Sequence, residues 1–351
     1  MRNVTRGGVC GIMQAVPEPG QQYWDGDVKA DTPKVVNIDW WGVWLVLFSA
    51  VAFSAKAIFV KLAYDVGGAP ASTRAPVDPV TLLAMRMWFA APGFVALIWW
   101  TRRRNSAANG TATPSSVRLS RPDWLAVMGL GFIGYYAASL LDFQGLQYIS
   151  AGLERLILFL NPTFVVLLSV MFVGYRIVRR DLLALAVSYA GIALVFVHDL
   201  SVNGNVLVGS ALVLASALAY AGYLVGGGHM VQRIGSLRFG AYASLVSTVF
   251  ITLHFVLFNR LEALHQPARV YGLVALMAMV STVLPIVLMA EGMRRIGSSN
   301  AAMISAIGPV MTIFLGYIFL AEPITAIQLA GAALVVAGVL IISLKKGRSA
   351  A

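Results

Sequence analysis

Blocks of about 20 apolar residues recur along the chain, separated by shorter stretches that hold many of the glycines, prolines and charges. A helical block of that length crosses about 30 Å of hydrocarbon. The blocks lie at approximately 41–64, 79–100, 122–144, 149–172, 180–198, 206–227, 237–258, 270–291, 299–320 and 325–344. No stretch alternates apolar and polar residues at strand length, so helices rather than a barrel must satisfy the backbone hydrogen bonds in lipid. The pattern predicts an all-α polytopic membrane protein with ten transmembrane helices. Residues 1–38, with "PEPGQQ" and scattered charges, read as a disordered tail without the short apolar core of a cleavable signal. Residues 101–121 read as a polar loop with an arginine run at its membrane edge, and 345–351 as a second tail.

Composition agrees with the pattern. Hydrophobic residues make up 59% of the 351, charged residues 12%, and the mean hydropathy is +0.78, so a water-soluble surface cannot be assembled from the remainder. The formal net charge of +11 invites a nucleic-acid reading, but its distribution removes that reading. With the N-terminus placed in the cytoplasm, 19 of the Lys and Arg residues fall on the cytoplasmic side, 4 on the opposite side, and Lys56, Arg86 and Arg155 lie within spans. This is the asymmetry that orients membrane proteins, so both termini are expected in the cytoplasm. The single cysteine, Cys10, allows no intrachain disulfide and no metal cluster.

The chain also matches itself. At a shift of 147, residues 125–195 fall on 272–342 without a gap: Pro162 meets Pro309, Gly145 meets Gly292, Ile149 meets Ile296 and Phe172 meets Phe319. Upstream, "SAVAFSAK" matches "ASALAYAG" at a shift of 166, which places Gly222 opposite Lys56. The match divides the chain into two units, 40–198 and 206–344. Five spans per unit is an odd number, so the second unit must enter the bilayer from the other side. Such inverted repeats suit a transporter, because the halves can exchange conformations around a midplane site.

The stretches "FSAKAIFVKLAYD", "GLQYISAGLERLILFLNPTFVVLLSV" and "GMRRIGSSNAAMISAIGPVMTIFLGYIFLAEPITAIQLAGAALVVAGVLII" resemble the drug/metabolite transporter superfamily, in particular its ten-helix EamA-type exporters with two EamA repeats. The resemblance covers about 40–344. It implies a basket of ten helices around a central cavity lined mainly by spans 1, 3, 4, 6, 8 and 9. It leaves the substrate open, since the superfamily carries amino acids, drugs, other metabolites and nucleotide sugars.

Ionisable residues near the bilayer centre cost about 2.5–3.5 kcal/mol each on insertion scales, so a chain that keeps several must pair, hydrate or use them. Lys56, Arg86, Asp142, Glu154 and Arg155 all belong to the first unit and read as a polar substrate-binding cluster at the outward end of the cavity, or else as structural ion pairs. Glu154 and Arg155 point about 100° apart on a helix and so take different partners. Glu154 has Lys56 or Arg86 in prospect, and Arg155 has Asp142 or substrate. Asn161, Ser305 and Thr312 lie on the polar stripes of spans 4 and 9, while Pro162 and Pro309 are candidate hinges. Tyr136 and Tyr220 are the aromatic candidates, and the Ala219, Gly222 and Gly226 face of span 6 reads as packing.

No phosphate loop occurs, so nucleotide hydrolysis is not expected, and neither a cofactor nor a catalytic constellation is legible. The expected function is secondary export of a small polar or amphipathic metabolite, with protons as a candidate partner through Glu154 or Asp142. The near balance of the five charges favours an amino-acid-like substrate. Substrate exchange, facilitated diffusion, and a nucleotide-sugar or phosphorylated-metabolite carrier are the alternatives within the class. A membrane sensor or scaffold is the reading outside it, followed by an embedded enzyme or a channel.

Overall fold

A computed structural model describes residues 39–67, 77–107, 119–173, 179–200 and 205–348; the N-terminal tail reading (1–38), and the end of the chain beyond 348, lie outside these. The described residues contain helices and no strand, and belong to one compact unit beginning at Asp39. The helices are α1 (Trp40–Gly67), α2 (Pro79–Ala107), α3 (Arg121–Gly131), α4 (Ala138–Gly145), α5 (Ala151–Leu158), α6 (Asn161–Val173) and α7 (Arg179–Leu200). They are followed by α8 (Val206–Gly226), α9 (Gly228–Ile234), α10 (Ser236–Phe258), α11 (Ala268–Ala278), α12 (Leu284–Ser305), α13 (Gly308–Leu320) and α14 (Ala326–Arg348).

Among the described residues eight helical stretches are long and apolar enough to cross a membrane, and two shorter apolar ones, Leu182–Val197 and Ala326–Ile341, lie in α7 and α14. Their outer faces carry exposed apolar side chains such as Met171, Phe172 and Phe258, 73–78% accessible, which only lipid can cover in a protein of this kind. Trp40 and Trp41 begin α1 and Trp99 and Trp100 lie near the end of α2, all exposed, as interfacial tryptophans are.

Two boundaries differ from the sequence reading. Helix α2 continues to Ala107, seven residues into the segment read as a loop. The reason is local: Arg102 donates to the Tyr242 hydroxyl at 2.9 Å, the Arg103 guanidinium lies 3.8 Å from the Trp99 ring, and no helix breaker intervenes. The turn between the eighth and ninth apolar blocks is made at one residue, Gly297, whose φ of 81° and ψ of 158° only glycine adopts without strain.

Irregularities recur 147 residues apart. The backbone widens into a π-helical segment at Phe132–Ala137 and again at Met279–Val283. Helix α5 stops at Leu158 and α6 begins at Asn161, and α12 stops at Ser305 and α13 begins at Gly308, so each break lies just before the proline. Proline at the first turn of the new helix costs no hydrogen bond, because its missing N–H would have had no intrahelical acceptor there.

Contacts recur as well. Helix α1 packs along α12, and α4 along α8. Between membrane helices, association rests on close packing rather than on expulsion of water, so small residues mark the crossings. A Cβ built on Gly145 would fall 2.9 Å from the Gly209 carbonyl, and one on Gly292 would fall 3.3 Å from the Gly42 carbonyl. Ser216 donates to the Ala138 carbonyl at 2.7 Å, and Ser49 to the Pro285 carbonyl at 2.8 Å. Helices α7 and α14 cross with Gly191 against the Gly331 carbonyl and Gly338 against that of Ala184. The pairs Gly42/Gly209 and Ser49/Ser216 stand 167 residues apart, which corrects the register of 166 read from the sequence by one. The residue matching Lys56 is then Tyr223 rather than Gly222.

Candidate functional site

The glycine and serine contacts hold α1 against α12 and α4 against α8, and between these pairs the chain leaves a cavity of about 330 Å³. Its wall takes Phe53 and Lys56 from α1, Arg86 from α2, and Gly134, Tyr135, Ala138, Ser139 and Asp142 from the first π-helical segment and α4. Arg155 and Leu158 come from α5, Phe159 and Asn161 from the first helix break, and Ser216 and Tyr220 from α8. Ser281, Thr282 and Ile286 complete it from the second π-helical segment and α12. Span 2 therefore contributes to the cavity, through Arg86, and α13 does not.

Lys56 is the centre of the charge arrangement. Its Nζ donates to Asp142 Oδ2 at 2.6 Å and to Glu154 Oε1 at 2.8 Å, joining α1, α4 and α5. Glu154 is fully buried and Asp142 nearly so. Each carboxylate keeps one buried oxygen, Asp142 Oδ1 and Glu154 Oε2, with no hydrogen-bond partner among the described residues. Arg86 takes neither acid: its Nε donates to Thr282 Oγ1 at 3.0 Å, and its guanidinium lies 5.4 Å from the centre of the Phe143 ring. Among the described residues Arg155 has no ion pair, its Nε is buried without a partner, and its guanidinium lies 5.3 Å from the centre of the Phe159 ring. Its Nη2 occupies space beside Gly308 that a Cβ would enter at 2.9 Å.

The remaining candidates separate. Asn161 lines the cavity, and its Nδ2 donates to the Ala217 carbonyl at 3.1 Å. Tyr220 lines it and belongs to an aromatic group with Tyr135 and Tyr223, where ring centres are 5.2–6.3 Å apart. Tyr136 does not line it: its hydroxyl meets His254 Nδ1 at 2.7 Å and its ring packs on Phe132 and Phe250. Ser305 and Thr312 turn their hydroxyls back to the carbonyls of Ala301 and Gly308 in their own helices and also stand outside the wall. Pro162 and Pro309 come directly after the two helix breaks. Gly222 faces open space rather than a packed neighbour, whereas Gly226 is close against Leu130.

Tyr135, Phe53, Phe159, Ser281 and Thr282 are wall residues that the sequence reading did not select. A π-helical turn inserts one residue and rotates the side chains after it by about 100°, and within the first such segment Tyr135 lines the cavity while Tyr136 packs outside it. One available signal was the 147-residue self-match, which pairs Gly134-Tyr135 with Ser281-Thr282.

A family model described as the EamA-like transporter family matches residues 40–197 and 207–344. The uncharacterized transporter YcbK of Bacillus subtilis (strain 168) is 32% identical over 303 residues, which cover 83% of this chain and 88% of the relative. An uncharacterized transporter of Archaeoglobus fulgidus is 25% identical over 300 residues, covering 84% and 94%. A solved crystal structure of a protein with 17% identity superposes with a TM-score of 0.57 over 88% of this chain and 99% of its own length, a likeness of fold.

Proposed function

We propose, from the premise that the chain belongs to the EamA-like transporter family, that it is a secondary transporter exporting a small polar or amphipathic metabolite across the cell membrane by alternating access. The observation that carries this is a charged cavity of about 330 Å³, near the lower end of the usual range for small-molecule sites, inside a bundle whose outer faces are apolar. Ionisable groups in membrane helices are costly to keep, and those that face a bundle interior or a water-filled cavity mark substrate and ion pathways.

In this reading α7 and α14 are spans too, giving ten, and the units 40–198 and 206–344 are inverted copies with both ends of the chain in the cytoplasm. The recurring π-helical segments, the helix breaks and the glycine crossings support it. The two breaks before Pro162 and Pro309 and the turn at Gly297 are the points where the halves bend as the cavity changes sides. Lys56 keeps Asp142 and Glu154 tied while the cavity is empty, and these acids are the groups through which protons would couple to export.

The test compares intracellular and extracellular metabolites in cells with and without the chain, each expressing the same background transporters. Export predicts that at least one small polar metabolite is retained in cells lacking the chain and appears in the medium when it is restored. Unchanged pools would contradict transport, and a pool that rises inside only when the chain is present would reverse the direction.

A further inference from the structure

The sequence suggested that the buried charges nearly cancel, but the geometry distributes them unevenly. Lys56 alone holds both acids, so that triad carries a formal charge of −1. Arg86 and Arg155 add two positive charges to the same wall, and neither forms an ion pair among the described residues. Arginine does not release its proton in a protein, so the cavity holds a net +1 when both acids are ionised. Protonating either acid makes the cavity more positive. Only an anion arriving from outside neutralises it. Room for the contact is already built: glycine at position 308 leaves space for the Arg155 guanidinium, which is oriented by the Phe159 ring rather than by an acid. Phe53, Phe159 and Tyr220 supply an apolar wall.

We infer that the cavity is an organic-carboxylate site, in which Arg155 together with Arg86 binds the carboxylate of a monoanionic ligand whose apolar, ring-sized body lies against Phe53, Phe159 and Tyr220. Amines and quaternary ammonium compounds are excluded because they would raise the buried charge to +2. The inference names the substrate class for the transport reading and rests on that reading only for how the ligand enters and leaves.

The experiment measures binding of four probes sharing one ring, phenylacetate, phenylacetamide, phenethylamine and phenyl phosphate, to the purified full-length protein in lipid nanodiscs by calorimetry. Phenylacetate is expected to bind and the amide and amine not to. Arg155→Gln weakens phenylacetate by about tenfold or more, the loss expected for a hydrogen bond to a charged group, and Arg155→Lys recovers part of it. The unliganded unfolding midpoint of Arg155→Gln stays level or rises, because the variant removes a cavity-wall charge that no ion pair holds; a merely structural arginine would lower it. Equal binding of the amide or amine, unchanged binding by Arg155→Gln, or no binding of any probe to the folded protein overturns the inference. Tighter binding of phenyl phosphate overturns the carboxylate assignment in favour of a dianion. Phenylacetate binding without flux in vesicles would keep this site and defeat the transport reading, and flux of an uncharged or cationic solute through a protein that ignores phenylacetate would do the reverse.

Discussion

Lys56→Met is expected to destabilise the protein by about 3–5 kcal/mol and to abolish transport, because it leaves two carboxylates buried side by side with no cation between them. The ammonium lies 2.6 Å from Asp142 and 2.8 Å from Glu154, and neither Arg86 nor Arg155 stands in an ion pair with either acid. The penalty is therefore one of leaving like charges unpaired in low dielectric, rather than the loss of a favourable bond. That distinction is testable within one series. Adding Asp142→Asn and Glu154→Gln to Lys56→Met replaces the charged triad by neutral groups of similar shape, and the thermal unfolding midpoint in detergent should return towards that of the parent. Transport should not return with it. A Lys56→Met protein as stable as the parent would mean that water reaches the triad or that an acid takes up a proton, so that like charges are not left confined together.

Gly145→Val should be nearly as damaging, for a different reason. The added Cβ would lie 2.5 Å from Val213 Cγ2 and 2.9 Å from the Gly209 carbonyl, and the second of these is backbone that cannot swing aside. Overpacking of this kind costs about 1–3 kcal/mol and more where backbone must move, and here it pushes α4 off α8 and opens the cavity wall. Gly292→Val, in the matching crossing, runs into Val46 Cγ2 and should behave alike. Gly222→Val is the control, since a Cβ there meets nothing within 4 Å. The measurement is the fraction of monodisperse protein recovered after mild heating. Comparable losses at Gly145 and Gly292 with little at Gly222 are predicted; equal tolerance at all three would show that the helices do not cross at these glycines.

The sequence and the structure agree where the physics is local and diverge where it depends on a single residue of phase. Apolar block length located the membrane-spanning helices to within a few residues, because hydrocarbon thickness sets that length whatever the neighbours. The proline pair is legible for a local reason too: Pro162 and Pro309 read as bends within a span, and each follows a break where one helix ends and the next begins. Register was harder. The upstream match is one residue off because alanine-rich segments align almost equally well at adjacent shifts, and the crossings at Gly42 and Gly209 with the contacts of Ser49 and Ser216 separate 166 from 167. The π-helical segments carry no composition signal, so nothing in the sequence separates Tyr135 from its neighbour Tyr136. The five buried charges were visible as a group, but their pairing was not, since Glu154 had both Lys56 and Arg86 in prospect and only the packing of α1 against α5 decides between them. The consequence was chemical: charges that seemed to cancel across the cluster cancel mainly around Lys56.

Alternating access makes one demand that a static channel wall or a scaffold does not, and Ser139, on the cavity wall, is placed to report it. In a Cys10→Ser background, Ser139→Cys protein is reconstituted in sealed vesicles of known orientation, and a membrane-impermeant thiol reagent is supplied from one face or the other. Modification from each face in separate experiments, with no leak of a small dye through the vesicles, is the predicted result. Modification from one face alone, at every substrate and proton gradient tried, would contradict a cavity that opens to the two sides in turn.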